Sequence, residues 1–202
     1  MVQTIPPPPE KIAPFLTLDL TSIRLTAAQF EQLCRDNPDL RLELMSNGGL
    51  IVMPPAGSKT SQRNFNLSGQ FQVWVEKDGT GIGFDSSTGF TLPNKAILSP
   101  DASWVRRERW DALSEEEQEG FAPLCPDVVI ELRSRWSTLK AQQNKMQEYL
   151  DNGTQLAWLI DPSERRVYIY RPNEDVEVLT NAGKVSANPT LNGFVLQLAE
   201  LW

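Results

Sequence analysis

The chain has 202 residues, 40% hydrophobic and 22% charged, enough for one soluble domain with a sizeable core. Its net charge of −7 argues against bulk nucleic-acid binding, leaves room for a local basic groove, and suits a site built to hold a divalent cation. It contains no histidine, which removes His-based triads, His zinc sites and His general bases and leaves carboxylates and lysines as the chemical groups.

Residues 1–20 read as an arm. Pro6-Pro7-Pro8-Pro9 favours polyproline II, which suits a surface-draped tail or, second, a partner-binding motif. No basic stretch followed by an apolar core opens the chain, and no apolar run approaches the ~18 residues of a membrane span. With Cys34 and Cys125 outside any metal-type spacing, a reducing, cytoplasmic setting is expected. Residues 21–202 read as a single domain.

Thr26 is a good N-cap for a first helix that Asn37-Pro38 ends. Leu40 to Met45 alternates as a strand, Ser46-Asn47-Gly48-Gly49 turns, and Leu50 to Met53 returns, giving a hairpin. Ser58 to about Asp78 carries the apolar surface of a long helix. Four short strands follow, within Ile82 to Val105, then a short helix from Arg106 and an acidic loop, Ser114 to Glu119, whose Glu115-Glu116-Glu117 reads as a solvated surface. Val128 to Ile130 is an apolar strand that ends on Glu131. A helix from about Ser137 to Asn152 carries Lys145 and Tyr149, and Leu156 to Ile160 is a second apolar strand. Arg166 to Tyr170 and Val176 to Leu179 pair across a turn. The remainder is loop, a last strand and a short amphipathic terminus. The economical architecture is one α/β domain with a mixed sheet flanked by helices.

Asp101 begins one strand and Glu131 ends another. If the two strands pair antiparallel, both carboxylates project at the same sheet edge, where two hard oxygen ligands form a natural Mg²⁺ or Mn²⁺ site. Lys145, on the helix that packs back over the sheet, would orient a water or offset phosphate charge there, with Tyr149 one turn on. Spacing alone leaves other readings open. Asp101 after Pro100 suits a turn or cap, Glu131 could pair with Arg133 or Arg135, and a helix lysine is usually solvated.

The order of four segments resembles the Uma2 family (DUF820), a cyanobacteria-rich group of restriction-endonuclease-like proteins in the PD-(D/E)XK nuclease superfamily. They are ELMSNGGLIVMPP from Glu43, SPDASWV from Ser99, CPDVVIELRS from Cys125 and KMQEYLDNGTQLAWLIDPSERRVYIYR from Lys145. The resemblance implies a nuclease core: a mixed β-sheet flanked by helices, with an N-terminal helix and β-hairpin. It implies that Asp101 and Glu131 are the two metal-binding acids. Glu43 would be a further acid from the hairpin, and Lys145 the lysine moved from the strand to the helix, with Arg133 where the superfamily has lysine. The sequence departs from the family pattern at the Ser46-Asn47-Gly48-Gly49 turn, at Leu42, and at Arg133-Ser134-Arg135-Trp136.

The expected function is Mg²⁺-dependent (or Mn²⁺-dependent) endonucleolytic hydrolysis of DNA, by a homodimer, since cutting both strands favours two sites. The alternative is a non-catalytic nucleic-acid- or protein-binding module on the same fold.

Overall fold

A computed structural model describes residues 16–134 and 136–202. Pro6 to Pro9 and Arg135 lie outside them. The chain begins with β1 (Leu16–Asp19), counted with the arm in the sequence but here paired antiparallel to the returning strand of the hairpin. Helix α1 (Ala27–Asp36) starts at a capping box. The Thr26 hydroxyl accepts the Gln29 N–H at 3.2 Å, and the Gln29 side chain accepts the Thr26 N–H at 2.9 Å. Strands β2 (Arg41–Leu44) and β3 (Gly49–Met53) form the hairpin. Gly48 takes φ +88° in its turn, and a Cβ there would stand 3.1 Å from the Thr21 backbone, so glycine is required.

Helix α2 (Ser58–Asp78) ends on left-handed Gly79. Then come β4 (Gly81–Asp85), β5 (Phe90–Thr91), β6 (Ile97–Leu98), β7 (Ala102–Arg106) and the short helix α3 (Arg107–Trp110). The expected acidic loop is instead a helical turn, α4 (Glu115–Glu119), because Ser114 and Glu117 cap it reciprocally. Next are β8 (Val128–Leu132), α5 (Leu139–Asp151), β9 (Leu156–Asp161), β10 (Arg166–Tyr170), β11 (Glu177–Thr180), β12 (Lys184–Ser186) and β13 (Val195–Gln197), with a closing 3-10 turn.

The strands form three sheets, where the sequence suggested one. The main sheet is mixed, in the order β11-β10-β9-β8-β7-β4, with β8 and β9 parallel through α5 and its other pairs antiparallel. The hairpin belongs to a second sheet, β1-β3-β2-β6-β5, and β12-β13 form a third. Alternation along the central strands explains both faces of the main sheet. Val128, Ile130, Leu156, Trp158, Ala102 and Trp104 pack towards α2 and the C-terminal hairpin. Val129, Ala157, Leu159 and Val105 face Met146 and Tyr149 of α5. Each fully buried aliphatic side chain contributes about 1.5–3 kcal/mol. The Trp104 ring lies so close to Gly81 that a Cβ there would stand 2.2 Å from it. A smaller core, with Leu42 and Leu44 against Phe30, seats α1 on the second sheet. Among the described residues no helix is long and apolar enough to cross a membrane.

Candidate active site

Strands β7 and β8 are antiparallel, with Ala102 opposite Ile130 and Ser103 opposite Val129. Extending that register by one step sets Asp101 beside Glu131, on the face that α5 covers. The Leu132 N–H donates to Asp101 Oδ2 at 2.8 Å. Helix α2 reaches the same carboxylate from the opposite layer, where Asn64 Nδ2 donates to Asp101 Oδ1 at 3.0 Å. Burial raises the Asp101 pKa above the ordinary carboxylate range, against the Leu132 N–H, the Lys145 charge, the Asn64 amide and the Arg41 guanidinium.

Lys145 joins the two sheets. Its Nζ lies 2.7 Å from Glu131 Oε1 and 2.8 Å from Glu43 Oε1. Glu43 stands on the face of β2 opposite Leu42 and Leu44, where it also accepts the Ser99 N–H at 2.9 Å. Tyr149, one helical turn beyond Lys145, donates its hydroxyl to Glu131 Oε1 at 3.2 Å, and the ammonium sits 5.8 Å from its ring centroid. Glu43, Glu131 and Lys145 are only 2%, 6% and 8% exposed, so water screens their charges little. Burial works to lower the Lys145 pKa, but Glu131 and Glu43 outweigh it and hold the ammonium above the usual lysine range. Burial raises the Glu131 pKa most. Lys145 opposes that rise and the charges on Asp101 and Glu43 add to it, leaving Glu131 pushed up to about 8.

A pH dependence follows from Glu131. Its ordinary value is 4.5 and its folded value about 8, so between those pH values the folded protein holds the extra proton. Its contribution to stability is complete below pH ~4.5 and is lost as pH rises through ~8. Lys145 stays charged across this window. In EDTA, the melting temperature is therefore expected to fall between pH 5 and 9, and the fall to shrink in Glu131→Gln. Equal slopes in the two proteins would contradict this account.

The cluster opens into a cavity of about 520 Å³ lined by the hairpin, the start of α2, the segment after β8 and α5. Glu43 and Glu131 pair with one lysine ammonium whose charge also acts on Asp101, with Arg41 also on the cavity wall, so a cation or a proton is needed for balance. The donors suit a hard cation. Among the described residues, the hydrogen bonds and ion pairs of Glu131 all fall on Oε1, leaving the lone pairs of Oε2. Asn64 Oδ1 is buried with no hydrogen-bond partner among the described residues. Also among the described residues, no group of three or more His, Cys, Asp or Glu is arranged to hold a metal. The set is thus two carboxylates and neutral oxygens, the kind that binds Mg²⁺ or Mn²⁺ with several waters retained.

All four residues singled out in the sequence, Glu43, Asp101, Glu131 and Lys145, line this one cavity. Of the alternatives for Glu131 and Lys145, those that fall on described residues resolve, and Arg135 lies outside them. The cation at Glu131 is Lys145, a buried lysine, while Arg133 pairs with fully buried Asp161 at 2.5 Å and donates to the Ser137 carbonyl at 3.3 Å. Asn64, Gln142, Arg41 and the Ser99 N–H were not legible as site groups. Of these only Gln142 had a signal, its position one helical turn before Lys145.

A family model described as "Putative restriction endonuclease", Uma2, matches residues 27–199. No curated protein matches the chain. Among solved structures, the chain is similar to a "putative nuclease belonging to DUF820" from Anabaena variabilis ATCC 29413. The TM-score is 0.71 at 22% identity, over 88% of this chain and 97% of that one, a likeness of fold.

Proposed function

The chain belongs to the Uma2 family of restriction-endonuclease-like proteins, and on that premise we propose that it hydrolyses phosphodiester bonds of DNA as a metal-dependent endonuclease. The observation that carries this reading is the imbalance of charge in the cavity lining, where Glu43 and Glu131 pair with the one ammonium of Lys145 and Asp101 lies within reach of its charge. Asp101 and Glu131 would hold Mg²⁺ or Mn²⁺. When bound, that ion would polarise the scissile phosphate and lower the pKa of a bound water.

The remaining work falls to the protein's own side chains. The Leu132 N–H and the Asn64 amide fix both oxygens of Asp101, so it is oriented before any ligand arrives. The Tyr149 hydroxyl fixes Glu131 in the same way. Glu131 must be ionised to bind a cation, so binding releases into solvent the proton it holds up to about pH 8. Glu43 anchors Lys145, whose third N–H would position the attacking water and offset charge growing on the phosphate. A homodimer is part of this reading, since cutting both strands of a DNA, paired or frayed, would take two such sites.

The second reading is a binding module without turnover. The net charge of −7 favours it, because a negative surface repels phosphate where no cation intervenes. Incubation of supercoiled plasmid and of single-stranded DNA with Mg²⁺, Mn²⁺ or EDTA separates the two. The nuclease is expected to cut with metal and stay silent in EDTA. Silence in all three conditions, with DNA still bound, would establish the binding module.

A further inference from the structure

The acid cluster makes up only part of the lining of its cavity, and the proposed reaction gives the remaining walls no role. About 520 Å³ falls within the ~300–1,000 Å³ of sites that enclose a small organic ligand. Its apolar wall comes from Met45, Ile51, Met53 and Pro54 on the hairpin side and from Trp136 beyond β8, an indole still 46% exposed. Its polar part includes Gln142, whose Oε1 is buried with no hydrogen-bond partner among the described residues. Gln142 lies three residues before Lys145, on the same side of α5. A buried, unpaired acceptor costs free energy unless a ligand or water satisfies it.

We infer that this space takes an unstacked nucleotide of a DNA strand, with its base against Trp136 and an N–H of the base edge donated to Gln142 Oε1. The inference rests on the reading of the acid cluster as a phosphodiester site. A scissile phosphate must descend to carboxylates that are nearly buried, and its neighbouring base must go somewhere. A stacked duplex keeps its bases paired inside and has none to lend to a side cavity. An unpaired strand does, at the low cost of unstacking. Aromatic stacking accepts any base, and a lone acceptor favours bases bearing an exocyclic amino group. Single-stranded or frayed DNA is thus the preferred substrate over intact duplex.

The test compares a labelled twelve-residue single strand with the blunt duplex of the same sequence, by fluorescence anisotropy in Ca²⁺ and by cleavage in Mg²⁺. The single strand is expected to bind at least about tenfold more tightly than the duplex. Trp136→Ala should weaken single-strand binding about fivefold or more, the loss of one base–aromatic stack, and leave duplex binding unchanged. Trp136→Phe should restore most of it. Equal affinity for both substrates, or wild-type single-strand binding by Trp136→Ala, would overturn the inference even if the protein cuts duplex. Trp136-dependent single-strand binding without any cleavage would uphold it and remove the nuclease reading instead.

Discussion

Asp101→Asn is expected to abolish calorimetric Mn²⁺ binding and to lower Mg²⁺-dependent cleavage about 10³-fold, without unfolding the protein. The substitution keeps the shape of the side chain and removes its charge. The new amide can still accept the Leu132 N–H on its oxygen, and its nitrogen can donate to Asn64 once the Asn64 amide turns over. That turn gives Asn64 Oδ1 the partner it otherwise lacks among the described residues. Asp101 is also a group whose ionised form the fold disfavours, since burial raises its pKa. Its contribution is present at low pH and lost as pH rises, so the variant should melt no lower than wild type at pH 8 and should gain on wild type as pH rises. The loss of rate corresponds to about 4 kcal/mol, what one ligand of a catalytic cation or one strong transition-state contact supplies. Cleavage by the variant at a tenth of the wild-type rate would sink the metal role assigned to Asp101.

Lys145→Met should damage stability as well as activity. Methionine fills much of the same volume but leaves Glu43 and Glu131, at 2% and 6% exposure, without their shared cation. Removing one partner from a buried ion pair costs about 3–5 kcal/mol, because a charge stays behind without compensation. The penalty should be largest at pH 8 and shrink towards pH 5, where Glu131 holds a proton. Adding Glu43→Gln to the variant should recover part of the loss, since one of the two stranded charges is then gone. Urea unfolding at both pH values reads all three effects. A Lys145→Met midpoint equal to wild type at pH 8 would mean that the ammonium holds nothing together.

The central half of the molecule was legible because its signals are local. The ends of α2 coincide with the stretch Ser58 to Asp78 read from composition, with Gly79 as the stop. Asp101 and Glu131 could be brought together on paper because an antiparallel pair fixes which residues face each other, and β7 and β8 are such a pair. Arg133 and Glu43 show where local reasoning stops. Arg133 and Arg135 were as plausible as partners of Glu131 as anything on the next helix. Only the packing of β8 beside β9 reveals that Arg133 goes to Asp161. Glu43 sits on an alternating strand, where a polar residue ordinarily turns to water. Its face is buried because a second sheet abuts the end of the first, and periodicity within one strand carries no information about that. Asn64 lacked any signal, since its value to the site lies in a hydrogen bond across 37 residues.

That geometry also governs when the cluster can assemble during synthesis. Glu43 and Lys145 are 102 residues apart in the chain. Closing so long a loop is slow and entropically costly, so the contact forms only after the pieces on either side have ordered. A growing chain that has left the ribosome only as far as Ile130 owns Glu43 and Asp101 but neither Glu131 nor Lys145. Even with β8 threaded, β9 must still be made before β8 is flanked on both sides. The cluster of Glu43, Asp101, Glu131 and Lys145 is thus among the last features of the polypeptide to exist, and no autonomous fragment from its N-terminal half contains it.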